Sequence, residues 1–80
     1  MISFLDDSTN LKLYKIFSEL LGLSDREITI MTDELAISII NKLSFQERHG
    51  IGLFGSKNWN YKQDVVHISS IIIDHIILGK

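Results

Sequence analysis

The chain has 80 residues, with ten carboxylates against eight lysines and arginines and a net charge of −2. That leaves room for one small hydrophobic core and lacks the basic excess of a free-standing nucleic-acid binder. Hydrophobic residues make up 45% and charged residues 22%, so intrinsic disorder is excluded. Cysteine and proline are both absent, which removes disulfides, thiolate zinc sites and thiol nucleophiles and favours uninterrupted helices.

The start, Met1 to Asp7, has no basic residue and reaches two acids early, unlike a secretory signal. The most apolar run, Val65 to Leu78, falls short of the ~20 residues that span a bilayer, and it carries His67, Asp74 and His75. A soluble cytoplasmic protein with no membrane partner is expected.

In chain order, Leu13, Ile16, Phe17, Leu20 and Leu21 recur at the spacing of one helical face and predict a first helix. Asp7 or Ser8 is its expected cap, and Gly22 followed by Leu23 fits a left-handed C-terminal glycine. Ser24 and Glu27 have capping-box spacing. Residues 27–31 are rich in β-branched residues (Ile28, Thr29 and Ile30) and stay open between a single turn and an extended link. Thr32 then offers an N-cap, with Asp33 and Glu34 in the first turn of a new helix. On that helix Leu35, Ala36, Ile39, Ile40 and Leu43 share one arc, while Ile37 is expected to face outward. Residues 46–60 hold Gly50, Gly52 and Gly55 and read as the one long loop, with residues 51–54 as a candidate short element. Asn60 and Gln63 again have capping-box spacing, and a final helix is expected to reach about Leu78, before Gly79. The predicted fold is all-α: a single domain over 1–80, built as a three- or four-helix bundle. Its expected core is Leu13, Phe17, Leu20, Leu35, Ile39, Leu43, Ile68, Ile72 and Ile76.

Three motifs look chemical, and each has a plainer reading. Gly50-Ile51-Gly52-Leu53-Phe54-Gly55 is a literal GxGxxG, but the dinucleotide fingerprint needs a strand before it and a helix at it. Neither neighbour fits. His67 and His75 lie about 12 Å apart along a helix at 1.5 Å per residue, too far to share an ion, and His49 lies in another segment. Ser70, His67 and Asp74 would share a helix face with no pocket or oxyanion hole. No catalytic, cofactor or metal residue is therefore assigned, and the chain is not expected to be an enzyme.

Charge is unevenly placed. Residues 1–40 carry seven acids and three bases, whereas residues 41–80 carry five bases and three acids. Arg48, Lys57 and Lys62 are interleaved with Trp59 and Tyr61, yet three cations supply little affinity where strong binders make ~6–10 phosphate contacts. Nucleic acid is disfavoured. The acidic half suits a protein partner with a basic surface, and Asp33, Glu34 and Ile37, together with Trp59 and Tyr61, form the expected partner-binding set. With fourteen isoleucines and a mean hydropathy of +0.17, some apolar surface is expected to remain, so a second copy of the chain is a further candidate partner.

Three stretches carry a family resemblance: Ile16 to Thr29, Asp33-Glu34-Leu35, and Phe54 to Asn60. The first is similar to the opening helix and following turn of acyl, peptidyl and alanyl carrier proteins. The second stands where their Asp-Ser-Leu motif opens the second helix. The third is similar to the lead-in to the last helix of some alanyl carriers. The resemblance implies a carrier-like helical fold, but Glu34 stands where the family's phosphopantetheine serine would be, and Ser38, one turn on, lies outside the motif. Elimination points to a non-enzymatic small protein that acts by protein binding, such as a bacterial or phage inhibitor or immunity protein. A carrier-like module and a small DNA-binding helical protein are the alternatives.

Overall fold

In the computed structural model, which describes residues 2–50 and 61–79, the first helix begins one residue earlier than expected. Asp6 is extended, and its carboxylate accepts from the Thr9 amide at 2.7 Å. Asp7 then falls in the first turn, where a negative charge meets the positive end of the helix. This helix, α1 (Asp7–Lys15), runs directly into a π-helical segment at Ile16–Leu20. The wider turn closes through the Leu21 amide on the Ile16 carbonyl at 3.3 Å, and the Leu23 amide reaches back to Phe17 at 3.1 Å. Between them Gly22 is left-handed at φ 69°, as its position predicts.

Residues 27–31 prove helical for most of their length. Ser24 accepts from the Glu27 amide at 3.1 Å and the Glu27 side chain accepts from the Ser24 amide at 2.9 Å, the reciprocal capping box. It starts α2 (Asp25–Ile30), which buries Ile28. Met31 then turns extended, and the Thr32 hydroxyl accepts from the Leu35 amide to start α3 (Asp33–Arg48). The last helix, α4 (Lys62–Leu78), ends at a left-handed Gly79. The expected cap at Asn60 and the candidate element at 51–54 lie outside the described residues, as does the GxGxxG stretch beyond Gly50. Among the described residues the protein is a small all-α helical bundle of four α-helices, without strands.

The core joins every element. Leu13, Ile16 and Phe17 from the first helical run meet Ile28, Ala36, Ile40 and Leu43, and Val65, Ile68 and Ile72 of α4 complete it. Each large member buried this fully contributes about 1.5–3 kcal/mol of transfer free energy. The N-terminal residues also belong to it: Ile2 is completely buried and Leu5 nearly so. They are held by Asn10, whose Oδ1 accepts from the Ile2 amide at 3.1 Å and whose Nδ2 donates to the Ile2 and Leu5 carbonyls at 3.0 and 3.2 Å. Phe4 stacks face to face on His75, with ring centres 3.8 Å apart.

Two expected core residues are instead on the surface, and one expected surface residue is drawn in. The buried stripe of α3 is Ala36, Ile40, Leu43 and Ser44, set further round the helix than the large residues alone suggest. Ala36 and Ser44 are the small members of that stripe, and small contact residues permit a short interaxial distance. That rotation leaves Leu35 51% exposed and packs Ile37, half-buried, against the core. In α4 the stripe is Val65, Ile68, Ser69 and Ile72. Ile76 continues it in sequence, but α4 runs on past the core and Ile76 stays 60% exposed.

Candidate functional site

Of the five residues expected to bind a partner, the four that the structure describes sit in different surroundings. Asp33 opens α3, and its Oδ2 accepts from the Ser3 amide at 3.1 Å and the Ser3 hydroxyl at 2.9 Å. Those bonds hold its carboxyl below the usual carboxylate range. Glu34 is exposed beside it. Ile37 packs on the core and does not ring itself with charge on the surface. Tyr61, before α4, donates its hydroxyl to Glu19 Oε1 at 2.8 Å, which ties α4 to the π-helical segment. The same bond, followed by desolvation, pushes the phenol above its ordinary value. Trp59 lies outside the described residues.

A different surface emerges at the junction of α2 and α3. Only Met31 and Thr32 separate the two helices, so the end of one and the start of the other form a corner. Its inside is an open groove of about 410 Å³, lined by Leu23, Glu27, Ile30, Met31, Thr32, Leu35 and Ile39. Leu23, Met31 and Ile39 are half-buried and packed against the core. Ile30 and Leu35 are not: they are 73% and 51% exposed. Between Leu23 and Ile39 the chain carries four carboxylates, Asp25, Glu27, Asp33 and Glu34, against the single cation Arg26. The hydrogen bonds of the Ser24 amide and side chain hold Glu27 below the usual carboxylate range, so it is ionised at neutral pH. The groove has an apolar floor with Glu27 in its lining, and the stretch of chain that builds it is net acidic.

The other chemical-looking residues that the structure describes have separate surroundings. His67 is exposed, and Ser70 accepts a bond from Arg48 Nη2 at 3.2 Å. His75 is stacked on Phe4, and His49 lies tilted on Phe45 at 4.1 Å. Among the described residues no three histidines or carboxylates converge as metal ligands.

The chain matches no family model, no curated protein and no solved structure. The groove must therefore be read from its own chemistry. Sequence reasoning pointed to the start of α3 through Asp33 and Glu34, neither of which lines the groove, and put the apolar contact at Ile37. The missed signal lay in Ile30 and Leu35, two large apolar residues flanking a two-residue helix junction. Such a junction exposes what its last and first turns carry.

Proposed function

We propose that the protein is a non-enzymatic binding module that acts on another protein through the groove between α2 and α3. The observation that carries this reading is the exposure of Ile30 and Leu35 over an apolar floor. Contiguous apolar surface rimmed by polar residues marks interaction sites, and truncation of a few such anchors removes most of the binding energy. An inhibitor or immunity role suits a chain of this size and mild acidity. No membrane partner is needed to explain the surface, and among the described residues no helix is long and apolar enough to cross a membrane.

The test is affinity capture from the source cells with the wild-type chain and with Leu35→Asp. Leu35 lies in the first turn of α3 and is half exposed, so the substitution should change folding stability by only about ±0.5 kcal/mol. A protein retained by the wild type and lost from the folded Leu35→Asp variant supports the reading. A retained protein indifferent to both Leu35→Asp and Ile30→Asp refutes the groove as the binding surface.

A second reading, the carrier-like module, has one structural observation in its favour: Ser38 is exposed on α3, one turn beyond Glu34. Coexpression with a phosphopantetheinyl transferase should leave the intact mass unchanged. A mass gain of one phosphopantetheine, lost on Ser38→Ala, would put the carrier reading first.

A further inference from the structure

The groove's shape and the charges around it restrict what can fill it. A small ligand site encloses about 70–90% of its ligand, and a groove whose walls include Ile30 at 73% and Leu35 at 51% exposure is too open for that. An open apolar corner suits side chains delivered from a partner's surface. A groove lined by apolar residues of two successive helices is of the kind into which an amphipathic helix lays its i, i+3, i+4 and i+7 residues.

The charge in and beside the groove decides the charge of that helix. Glu27 lines the groove, and Asp25, Asp33 and Glu34 occupy the first turns of α2 and α3. Their place at helix N-termini accounts for their stabilising role, but it does not remove their charge, and Arg26 is the only cation in the same stretch. A second copy of this chain would bring the same carboxylates against themselves, and like charges across an interface are unfavourable. The chain's own apolar end, Ile76, Ile77 and Leu78, is exposed, but with Asp74 two residues before it and Lys80 two residues after, it brings no basic excess.

From these observations we propose that the α2–α3 groove receives an amphipathic helix of another protein, its apolar face seated over Met31 and Ile39 and its flanks carrying lysine or arginine opposite Glu27 and Glu34. This rests on the protein-binding reading above and adds the chemistry of the partner. The apolar stripe supplies the anchor, and the basic flanks set orientation and exclude acidic competitors.

Two synthetic helical peptides with the same leucine stripe test it, one flanked by lysines and one by glutamates. Binding to the full chain is measured by fluorescence anisotropy at about 50 mM and about 500 mM salt, where screening lengths differ severalfold. The lysine-flanked peptide should bind at least about tenfold more tightly at low salt, a difference of ~1.4 kcal/mol. That advantage should shrink at high salt and in the Glu27→Gln/Glu34→Gln variant, while Leu35→Asp should weaken the apolar anchor at either salt. Equal binding of the two peptides, or no binding of either, overturns the proposed partner chemistry. Cellular capture lost on Leu35→Asp would still uphold the broader reading in that case. A concentration-dependent dimer that disappears on Leu35→Asp would assign the groove to a second copy and also overturn the proposal.

Discussion

Ser44 and Ser69 are both 2% exposed, yet their hydroxyls have different surroundings. Ser69 donates to Asn41 Oδ1 at 2.9 Å, whereas Ser44 Oγ has no partner among the described residues. Removing a hydrogen-bonded hydroxyl costs about 0.5–1.5 kcal/mol, and removing an unsatisfied one relieves a desolvation penalty. Ser69→Ala should therefore lower the midpoint of urea unfolding, and Ser44→Ala should leave it unchanged or raise it. Equal losses in both variants would contradict this assignment. The carboxylates set the pH response. Hydrogen bonds from Thr9, Ser24 and Ser3 depress Asp6, Glu27 and Asp33 respectively, so each binds a proton less readily in the folded chain than in the unfolded one. Their contribution is fully present above the ordinary carboxylate range and is lost as pH falls through the depressed folded values. Tyr61 has the opposite sign: raised by Glu19, it contributes below the ordinary phenol value and loses that contribution as pH rises through its folded value. Melting temperature should thus fall at both extremes. Glu27→Gln should flatten the acid limb and Tyr61→Phe the alkaline one.

At the scale of elements, caps carried more information than periodicity. Ser24 and Glu27, Thr32, Gly22 and Gly79 each mark a boundary that the structure observes, because each satisfies orphan backbone groups locally and needs no tertiary context. Ser24→Ala should cost ~1 kcal/mol and loosen α2 selectively, which amide exchange at Ile28 and Thr29 would report. The rotation of α3 was not legible. The arc read from the sequence spans Leu35, Ala36, Ile39, Ile40 and Leu43, whereas the buried face is Ala36, Ile40, Leu43 and Ser44, shifted away from Leu35. The choice between them belongs to the neighbouring helix. The N-terminal segment was equally hidden, since Ile2 and Leu5 have no period to betray them and are placed by side chains outside the segment, Asn10 on the Ile2 and Leu5 backbone and Asp33 on Ser3. Asn10→Ala should release that segment and cost roughly as much as Ile2→Ala, ~2–5 kcal/mol if the plug leaves altogether.

For the whole molecule, the all-α class and three of the four helices follow from the sequence, which leaves α2 open between a turn and an extended link. The proposed docking surface lies a fraction of a helical turn from the expected one. That small rotation reverses a prediction. An outward Ile37 would tolerate Asp, whereas the half-buried Ile37 packed against the core should lose on the order of 1–3 kcal/mol on the same change. Leu35→Asp, two residues away, should melt almost where the wild type does. Core truncations at Phe17 or Ile72, both fully buried, should cost ~2–5 kcal/mol. The groove as a binding surface is the claim on which the rest depends, and methyl NMR of the chain titrated with the lysine-flanked helical peptide tests it most directly. The account predicts saturable shifts at the methyl groups of Leu23, Ile30, Met31, Leu35 and Ile39, with Ile76 and Ile77 unmoved. Shifts confined to the end of α4, or spread evenly over the core, would contradict it.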